Sequence, residues 1–455
     1  IINILIHIRT MLFSFTSWLP ETIGNSSYLS RDIIAGLTIA MIIIPQSMAY
    51  ATLADLPPVY GLYASLLPVS IAAIFGSSRY LATGPVAMVS LLTSVAITSL
   101  SGGDSSLFVI YAMILALGVG VFQLFLALIK AGKIFDKIPE HVLLGFTSAA
   151  AVIIAFSQLS KVFGLPKVGM QELVDYESFL SQYPINHEAL ILSLSMLVLM
   201  YLVKYKITKY MTISNLAVFF ALVLSIFYAT YLSYAGPIVG FIPSGLPQFE
   251  LPNTNEFVGS LPMLIIHITI ITFVGFMEAI AIAKQLYVKK PQKNSSGVDL
   301  YKNPSPVDSN QELFGQGLAN ISSSISQSYP VSGSFSRSAV NEASGAYSGF
   351  ASVITMLIVG ITLMYATELL YNLPQATLGI IVIFAVLPLI RVKEMSELLR
   401  QDVSSGSISW ITFISTILFP VLSIELFEGV TTHIWTGIIF GFLINFLFNR
   451  QEPHD

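Results

Sequence analysis

Apolar stretches of about 20 residues recur along this 455-residue sequence, and they restrict its fold more than any other feature. Mean hydropathy is +0.78, and only 10% of the residues are charged. Such a composition cannot be hidden in a single soluble core. Stretches of this length cross the bilayer as helices, and they lack the ten-residue alternation of a membrane barrel. The sequence therefore predicts an all-α polytopic membrane protein.

The distribution of basic residues tests the number and orientation of the spans. We assign fourteen apolar segments, near residues 33–52, 59–76, 85–98, 107–129, 141–158, 187–203, 212–235, 261–283, 312–328, 335–346, 348–369, 375–390, 408–424 and 430–448. With both termini cytoplasmic, 18 of the 21 basic residues fall on the cytoplasmic side, as the positive-inside rule expects. The exceptions are Lys161 and Lys167, in an outer loop, and Arg337, which lies at membrane depth.

Segments three and ten are too short to cross ~30 Å of hydrocarbon at 1.5 Å per residue. Each follows a short run of small residues with a glycine, ATGP at 82–85 and VSGS at 331–334. They occupy corresponding positions in two halves of seven segments. Because seven is odd, the second half enters the membrane from the opposite side, which predicts a 7+7 inverted repeat.

Interrupted segments in matching places indicate the substrate site of a transporter. A helix start offers unpaired N–H groups and a partial positive charge, so two such starts at one point attract an anion. Pro85 suits a first-turn position, Ser334 and Ser336 add hydroxyl donors, and Arg337 adds a charged fork suited to oxyanions. The alternatives are an Arg337 side chain that reaches the membrane interface and a Ser-Gly-Ser motif that only packs helices.

Four motifs resemble the sulfate permease (SulP) family of anion transporters. They are IIIPQSMAYATLADLPPVYGLYASLLP (42–68), FGSSRYLATGPVAMVSLL (75–92), FVGFMEAIAIAK (273–284) and NQELFGQGLANISSSISQSYPVSGSFSRSAVN (310–341). The resemblance implies fourteen segments in a 7+7 inverted repeat, with segments 3 and 10 as half-helices. It also implies a core domain (segments 1–4 and 8–11) that moves against a gate domain (segments 5–7 and 12–14) like an elevator.

This implied organisation gives explicit domain boundaries. We expect a cytoplasmic N-terminal segment at 1–30, core parts at 31–136 and 259–372, gate parts at 137–258 and 373–450, a tail at 451–455 and a flexible cytoplasmic loop at 286–310. Family members usually continue into a cytoplasmic STAS domain, and we expect none in this sequence, which stops at Asp455.

The resemblance also implies site residues. It places the anion beside Gln46 and Tyr50 of segment one and between the two helix starts, which comprise Gly84, Pro85, Val86, Ser334, Phe335, Ser336 and Arg337. Glu278 of segment eight takes the position of a coupling carboxylate, which at the midplane could carry a proton. The alternatives are helix packing for Gln46 and Tyr50 and a purely structural salt bridge between Glu278 and Arg337.

The favoured function is secondary active, proton-coupled uptake of sulfate. Bicarbonate with sodium, chloride exchange, dicarboxylate transport and passive anion conduction are the alternatives. An intramembrane serine hydrolase, suggested by GSFS, lacks a recognisable base, so we expect no enzyme. The expected partners are the oxyanion, a coupling cation and the lipid bilayer, with a homodimer suggested by the resemblance. We expect no cofactor, metal or nucleic acid, and a bacterial inner membrane as the location.

Overall fold

The computed structural model is predominantly helical. It describes residues 15, 18–135, 139–165, 185–207, 216–232, 234–254, 257, 261–288, 307–422, 425–427, 430–431 and 434–449. Most of the loop expected at 286–310 and all of the tail at 451–455 lie outside the described residues.

Helices follow one another along both halves of the chain. The first half contains α1 (Leu19–Gly24), α2 (Ser26–Leu53), α3 (Pro58–Ala64), α4 (Leu67–Phe75), strand β1 (Thr83–Gly84), α5 (Ala87–Leu100), α6 (Phe108–Leu128), α7 (Gly132–Phe135), α8 (Glu140–Ser157), α9 (Leu159–Val162), α10 (His187–Leu202) and α11 (Ala217–Tyr231). The second half contains α12 (Leu261–Val288), α13 (Ser309–Ile325), strand β2 (Ser332–Gly333), α14 (Phe335–Ala343), α15 (Phe350–Tyr365), α16 (Gln375–Val386), α17 (Val392–Gln401), α18 (Val403–Leu422), strands β3 (Glu425–Phe427) and β4 (Val430–Thr431), and α19 (Ile434–Asn449).

Several of these helices have the length and apolar character of membrane spans. Within the described residues, eight helical stretches meet both conditions: Ser26–Leu53, Pro58–Phe75, Ser105–Leu128, Glu140–Val162, His187–Lys206, Leu261–Tyr287, Gln375–Gln401 and Val403–Pro420. Four shorter apolar helices cover Ala87–Leu100, Ala217–Tyr231, Phe350–Tyr365 and Thr436–Leu447. The helical membrane class is thereby supported, while fourteen spans in two inverted halves remain a prediction.

The helices of segments three and ten have the short lengths that the sequence predicts. α5 has 14 residues and α14 has 9. At 1.5 Å per residue they are about 21 Å and about 14 Å long, so neither alone spans ~30 Å of hydrocarbon.

The described chain divides into two compact units. The first comprises Ile1–Asp136, Val198–Tyr228 and Val239–Leu373. Within it, α13 packs against α6 and α4, and α15 packs against α2. Gly120 of α6 permits the first of these contacts, because a Cβ there would lie 2.7 Å from the carbonyl oxygen of Gly317. Small residues at helix crossings let backbones approach in this way.

The second unit comprises Lys137–Leu197, Ala229–Ile238 and Pro374–Asp455. Within it, α18 packs against α8 and α19. His141 and Asn445 share a 2.7 Å hydrogen bond that links α8 to α19. The residues that the sequence singles out for anion binding all belong to the first unit.

Candidate functional site

The sequence predicts two interrupted stretches, at 82–85 and 331–334, which we call the first break and the second break. They pair with each other as short antiparallel strands. Thr83 of β1 lies opposite Gly333 of β2, and Gly84 lies opposite Ser332. The N–H of Ser334 extends the pairing by donating to the carbonyl of Ala82 at 3.0 Å. Each strand leads directly into a short helix, α5 or α14, and the strands run in opposite directions. Because antiparallel chains continue from opposite ends of their pairing, α5 and α14 start on either side of the paired strands.

The two helix starts differ in their capping. Val86 is the N-cap of α5 and makes no side-chain capping bond. Ser334 is the N-cap of α14, and its hydroxyl accepts a 3.5 Å hydrogen bond from the N–H of Arg337. The first N–H groups of a helix have no partner within it, so both starts carry partial positive charge.

The side chain of Arg337, which follows the second break, hydrogen-bonds to the first break. Its side chain is 0% exposed, so it does not extend to the membrane interface as one alternative proposed. Nη2 donates to the carbonyl oxygen of Pro85 at 2.8 Å, and Nη1 donates to Oε1 of Gln46 at 3.4 Å. Among the described residues, its Nε has no hydrogen-bond partner. A buried charge with unused donor capacity can serve an incoming anion.

Gln46, Tyr50 and Glu278 surround this guanidinium. Gln46 and Tyr50 lie one turn apart on α2, and they are 3% and 4% exposed. Glu278 on α12 is partly buried. Arg337, Tyr50 and Glu278 lie within electrostatic range of one another. The helices thus bring the predicted residues of segments one, three, eight and ten to one place.

Within the described residues, Glu278 forms no ion pair. Its Oε2 is buried and finds no hydrogen-bond partner within the described part of the chain. The ion pairs formed there do not include Glu278 or Arg337. A purely structural salt bridge between the two residues, one of the two sequence-based interpretations, is therefore not seen.

The expectation that Pro85 occupies the first turn of a helix is wrong. α5 begins at Ala87 with Val86 as its N-cap, so Pro85 lies two residues before the first helical residue. Pro85 instead lies between β1 and the N-cap of α5, and its carbonyl oxygen accepts from Nη2 of Arg337. The ring has no N–H to contribute to the strand pairing, so it fits the point where that pairing ends.

Two buried amides that sequence reasoning missed also contact the breaks. Gln316 and Asn320 of α13 are 1% and 0% exposed, and they bond to Thr83 and Val331 respectively. The signal available in the sequence was their spacing of four residues within NQELFGQGLANISSS, which places both on one face of a helix.

The fold and the site together are typical of one class of membrane protein. Discontinuous helices whose starts lie on either side of one point within a membrane bundle are typical of the ion sites of secondary transporters. A buried arginine beside such starts has the charge and the donor geometry that suit an anion.

The chain belongs to the sulfate permease family, whose model matches residues 29–412. It is 35% identical over 458 residues to "Sulfate transporter 4.1, chloroplastic" of Arabidopsis thaliana, covering 97% of this chain and 62% of the relative. It is 30% identical to "Probable sulfate transporter MT1781" of Mycobacterium tuberculosis, covering 96% of this chain and 74% of that protein. The chain therefore spans less than two thirds of the length of the Arabidopsis relative.

Solved structures share the fold at low sequence identity. The overall structure of SLC26A9 matches with a TM-score of 0.80 and 22% identity, covering 98% of this chain and 69% of the other. The transmembrane domain of a cyanobacterium bicarbonate transporter, BicA, matches with a TM-score of 0.74 and 22% identity, covering 88% of this chain and 97% of the other.

Proposed function

We propose that this chain transports an inorganic oxyanion, sulfate being favoured, by secondary active uptake coupled to protons. The observation that supports this most strongly is the buried guanidinium of Arg337 at the junction of two helix starts. Gln46, Tyr50, Gly84, Pro85, Val86, Ser334, Phe335, Ser336 and Arg337 form the proposed anion site. The names of the plant and mycobacterial relatives favour sulfate as the ligand.

The charge of the site suits a dianion. Each helix start contributes roughly half an elementary charge, and Arg337 contributes one, so the anion meets roughly two positive charges. When Glu278 is ionised, its negative charge lowers the net positive charge near the anion to about one. A dianion therefore binds best when Glu278 carries a proton, and the proton binds best when the dianion is present. This reciprocity is the proposed basis of coupling.

Movement across the membrane is proposed to be of the elevator type. The core, comprising 31–136 and 259–372, carries the anion, and the gate, comprising 137–258 and 373–450, stays in place. All the binding residues lie within the first compact unit and within the proposed core, so the site can move as a body without being taken apart. That unit also contains residues 198–228 and 239–258, which the family resemblance assigns to the gate. A multi-pass location in a bacterial inner membrane, with cytoplasmic termini and a homodimeric state, completes the proposal.

Transport into proteoliposomes tests the substrate. We expect purified protein to take up radiolabelled sulfate, and to take up more when the outside is acidic than when both sides have the same pH. Empty liposomes give the background. Robust bicarbonate uptake with no sulfate signal would move the assignment to bicarbonate. Sulfate flux that carries current without proton movement would indicate a passive channel.

Gly84→Ala should weaken sulfate binding as well as stability. Gly84 has φ +148°, and a Cβ there would lie 3.3 Å from Nη2 of Arg337 and 3.2 Å from Cδ1 of Ile43. The added methyl group therefore strains the backbone and displaces the guanidinium. Sulfate affinity and thermal unfolding of the detergent-solubilised protein measure the two effects.

Gly102→Ala is the matched control for Gly84→Ala. Gly102 also has a positive φ, +62°, but a Cβ added there would have no atom within 4 Å. We expect it to lose stability alone, about 1 kcal/mol, and to bind sulfate normally. Equal sulfate affinities in the two variants would contradict a role for Gly84 in shaping the site.

A further inference from the structure

Helix α13 presents two buried amides to the paired strands. Gln316 and Asn320 are four residues apart, so they lie on one helix face, one turn from each other. Both side chains are almost completely removed from solvent, at 1% and 0% exposure. Amides are costly to bury within a membrane bundle unless their hydrogen bonds are made, so their partners need an explanation.

Gln316 hydrogen-bonds to the strand of the first break. Its Nε2 donates to the hydroxyl oxygen of Thr83 at 2.7 Å. Thr83 is the first residue of β1, two positions before Pro85, whose carbonyl oxygen accepts from Arg337. A hydrogen bond from α13 thus fixes the strand that orients this carbonyl.

Asn320 hydrogen-bonds to the backbone of the second break. Its Oδ1 accepts from the N–H of Val331 at 2.8 Å, and its Nδ2 donates to the carbonyl of Val331 at 3.2 Å. The amide therefore bonds Val331 on both backbone groups, as a neighbouring strand would. Nδ2 also donates to Oε1 of Gln123 on α6 at 2.9 Å, which fixes the orientation of the Asn320 side chain.

The strand pair needs such support. Each strand has two residues, and even a full two-stranded hairpin is only marginally stable alone. The separation of the two helix starts nevertheless decides how strongly they act together on an anion, and a binding site must hold its geometry to within about 0.5 Å.

We infer that Gln316 and Asn320 are positioning residues that set the distance between the two helix starts and thereby the affinity for the oxyanion. The inference rests on the proposed function, because it concerns the same site. Neither amide touches the anion in this account. Each acts through the backbone segment that it holds.

Thr83 gives the sharpest test, because its two conservative replacements separate the hydroxyl from the shape. Thr83→Val keeps the shape and removes the acceptor of Gln316, whereas Thr83→Ser keeps the hydroxyl. We expect Thr83→Val to raise the dissociation constant for sulfate roughly three- to tenfold, the scale of one buried hydrogen bond. Thr83→Ser should bind sulfate within about twofold of the wild type, on the same scale.

Ser324→Ala is the matched control on the same helix. The Ser324 hydroxyl is buried and donates to the carbonyl of Met113 at 2.8 Å, so its removal costs one buried hydrogen bond elsewhere on α13. We expect a lower unfolding temperature for Ser324→Ala with unchanged sulfate affinity. A loss of affinity in Thr83→Val that Ser324→Ala does not share cannot come from general destabilisation.

The experiment uses the full chain in nanodiscs, with equilibrium binding of radiolabelled sulfate and thermal unfolding measured on every variant. Asn320→Ala should also weaken binding. If it does not fold, the Thr83 pair still decides. A double-mutant cycle of Thr83→Val with Gln316→Ala should be non-additive, because the two changes remove the same bond.

The outcomes separate this inference from the proposed function. Equal sulfate affinity in Thr83→Val, Thr83→Ser and the wild type, with binding lost in Arg337→Ala, overturns the positioning role and leaves the anion site in place. No sulfate binding by the wild type overturns both.

Discussion

Replacing Arg337 by alanine should lower sulfate affinity by roughly a hundredfold or more, because truncating a buried, hydrogen-bonded charge costs about 3 kcal/mol. The guanidinium supplies a full charge at the junction of the helix starts, and its fork serves Pro85 and Gln46 at once. Equilibrium binding of radiolabelled sulfate to the solubilised protein measures the loss. Thermal unfolding on the same samples shows whether the variant is folded.

Arg337→Lys separates the charge from the fork. Lysine keeps one positive charge but lacks the planar pair of donors, so it cannot reproduce both contacts. We expect affinity between those of the wild type and the alanine variant. Near-normal sulfate affinity in a folded Arg337→Ala protein would remove this residue, and the junction it occupies, from the proposed site.

Replacing Glu278 by glutamine should abolish pH-driven accumulation of sulfate while leaving sulfate exchange intact. Glutamine mimics the protonated carboxyl, so the variant has no proton to release or take up. In the wild type, sulfate affinity should fall as pH rises, because losing the proton places a negative charge beside the dianion. In Glu278→Gln the affinity should not depend on pH in that way.

Uptake into proteoliposomes with an imposed pH gradient measures this coupling. One coupled proton per sulfate supports roughly tenfold accumulation per pH unit, and the variant should show none. Counterflow against internal sulfate checks that exchange survives. Accumulation that persists in the variant would place proton coupling on another residue.

Glu312→Gln is the matched control for this carboxyl. Glu312 on α13 is 2% exposed, and its Oε2 accepts from the backbone N–H groups of Ser77 and Ser78 at 2.8 and 2.9 Å. Glu312 therefore stabilises the turn after α4. Its Oε1 also accepts from Nε2 of Gln316 at 3.5 Å, and the amide oxygen of a glutamine can keep that contact. We expect its replacement to lower the unfolding temperature while pH-driven accumulation remains.

The residues that belong to local patterns were predictable. The short helices at 87–100 and 335–343 could be located because a glycine and small residues interrupt apolar runs, and both signals are readable within a few positions. The functional role proposed for Arg337 followed from the free-energy cost of placing a guanidinium within a membrane segment. That cost does not depend on which residues fold against it.

The contacts that build the site were not predictable. Arg337 and Pro85 are 252 positions apart, and Gln316 and Thr83 are 233 positions apart. No local pattern states that the Pro85 carbonyl oxygen will receive the guanidinium, or that Pro85 will therefore lie outside α5. The amides of α13 were likewise passed over, because a polar residue in a helix rich in small and polar residues has the same sequence signature whether it bonds to a strand or lines a pore.

The sequence by itself determined that this is a helical membrane protein with two interrupted segments and one arginine within an apolar part of the chain, because hydropathy and charge pattern are properties of each segment. Only the tertiary structure decided that the interruptions pair as strands, that Arg337 bridges them, and that Gln316 and Asn320 hold them. Those outcomes depend on hydrogen bonds between residues that only the packing of distant helices brings within reach of each other.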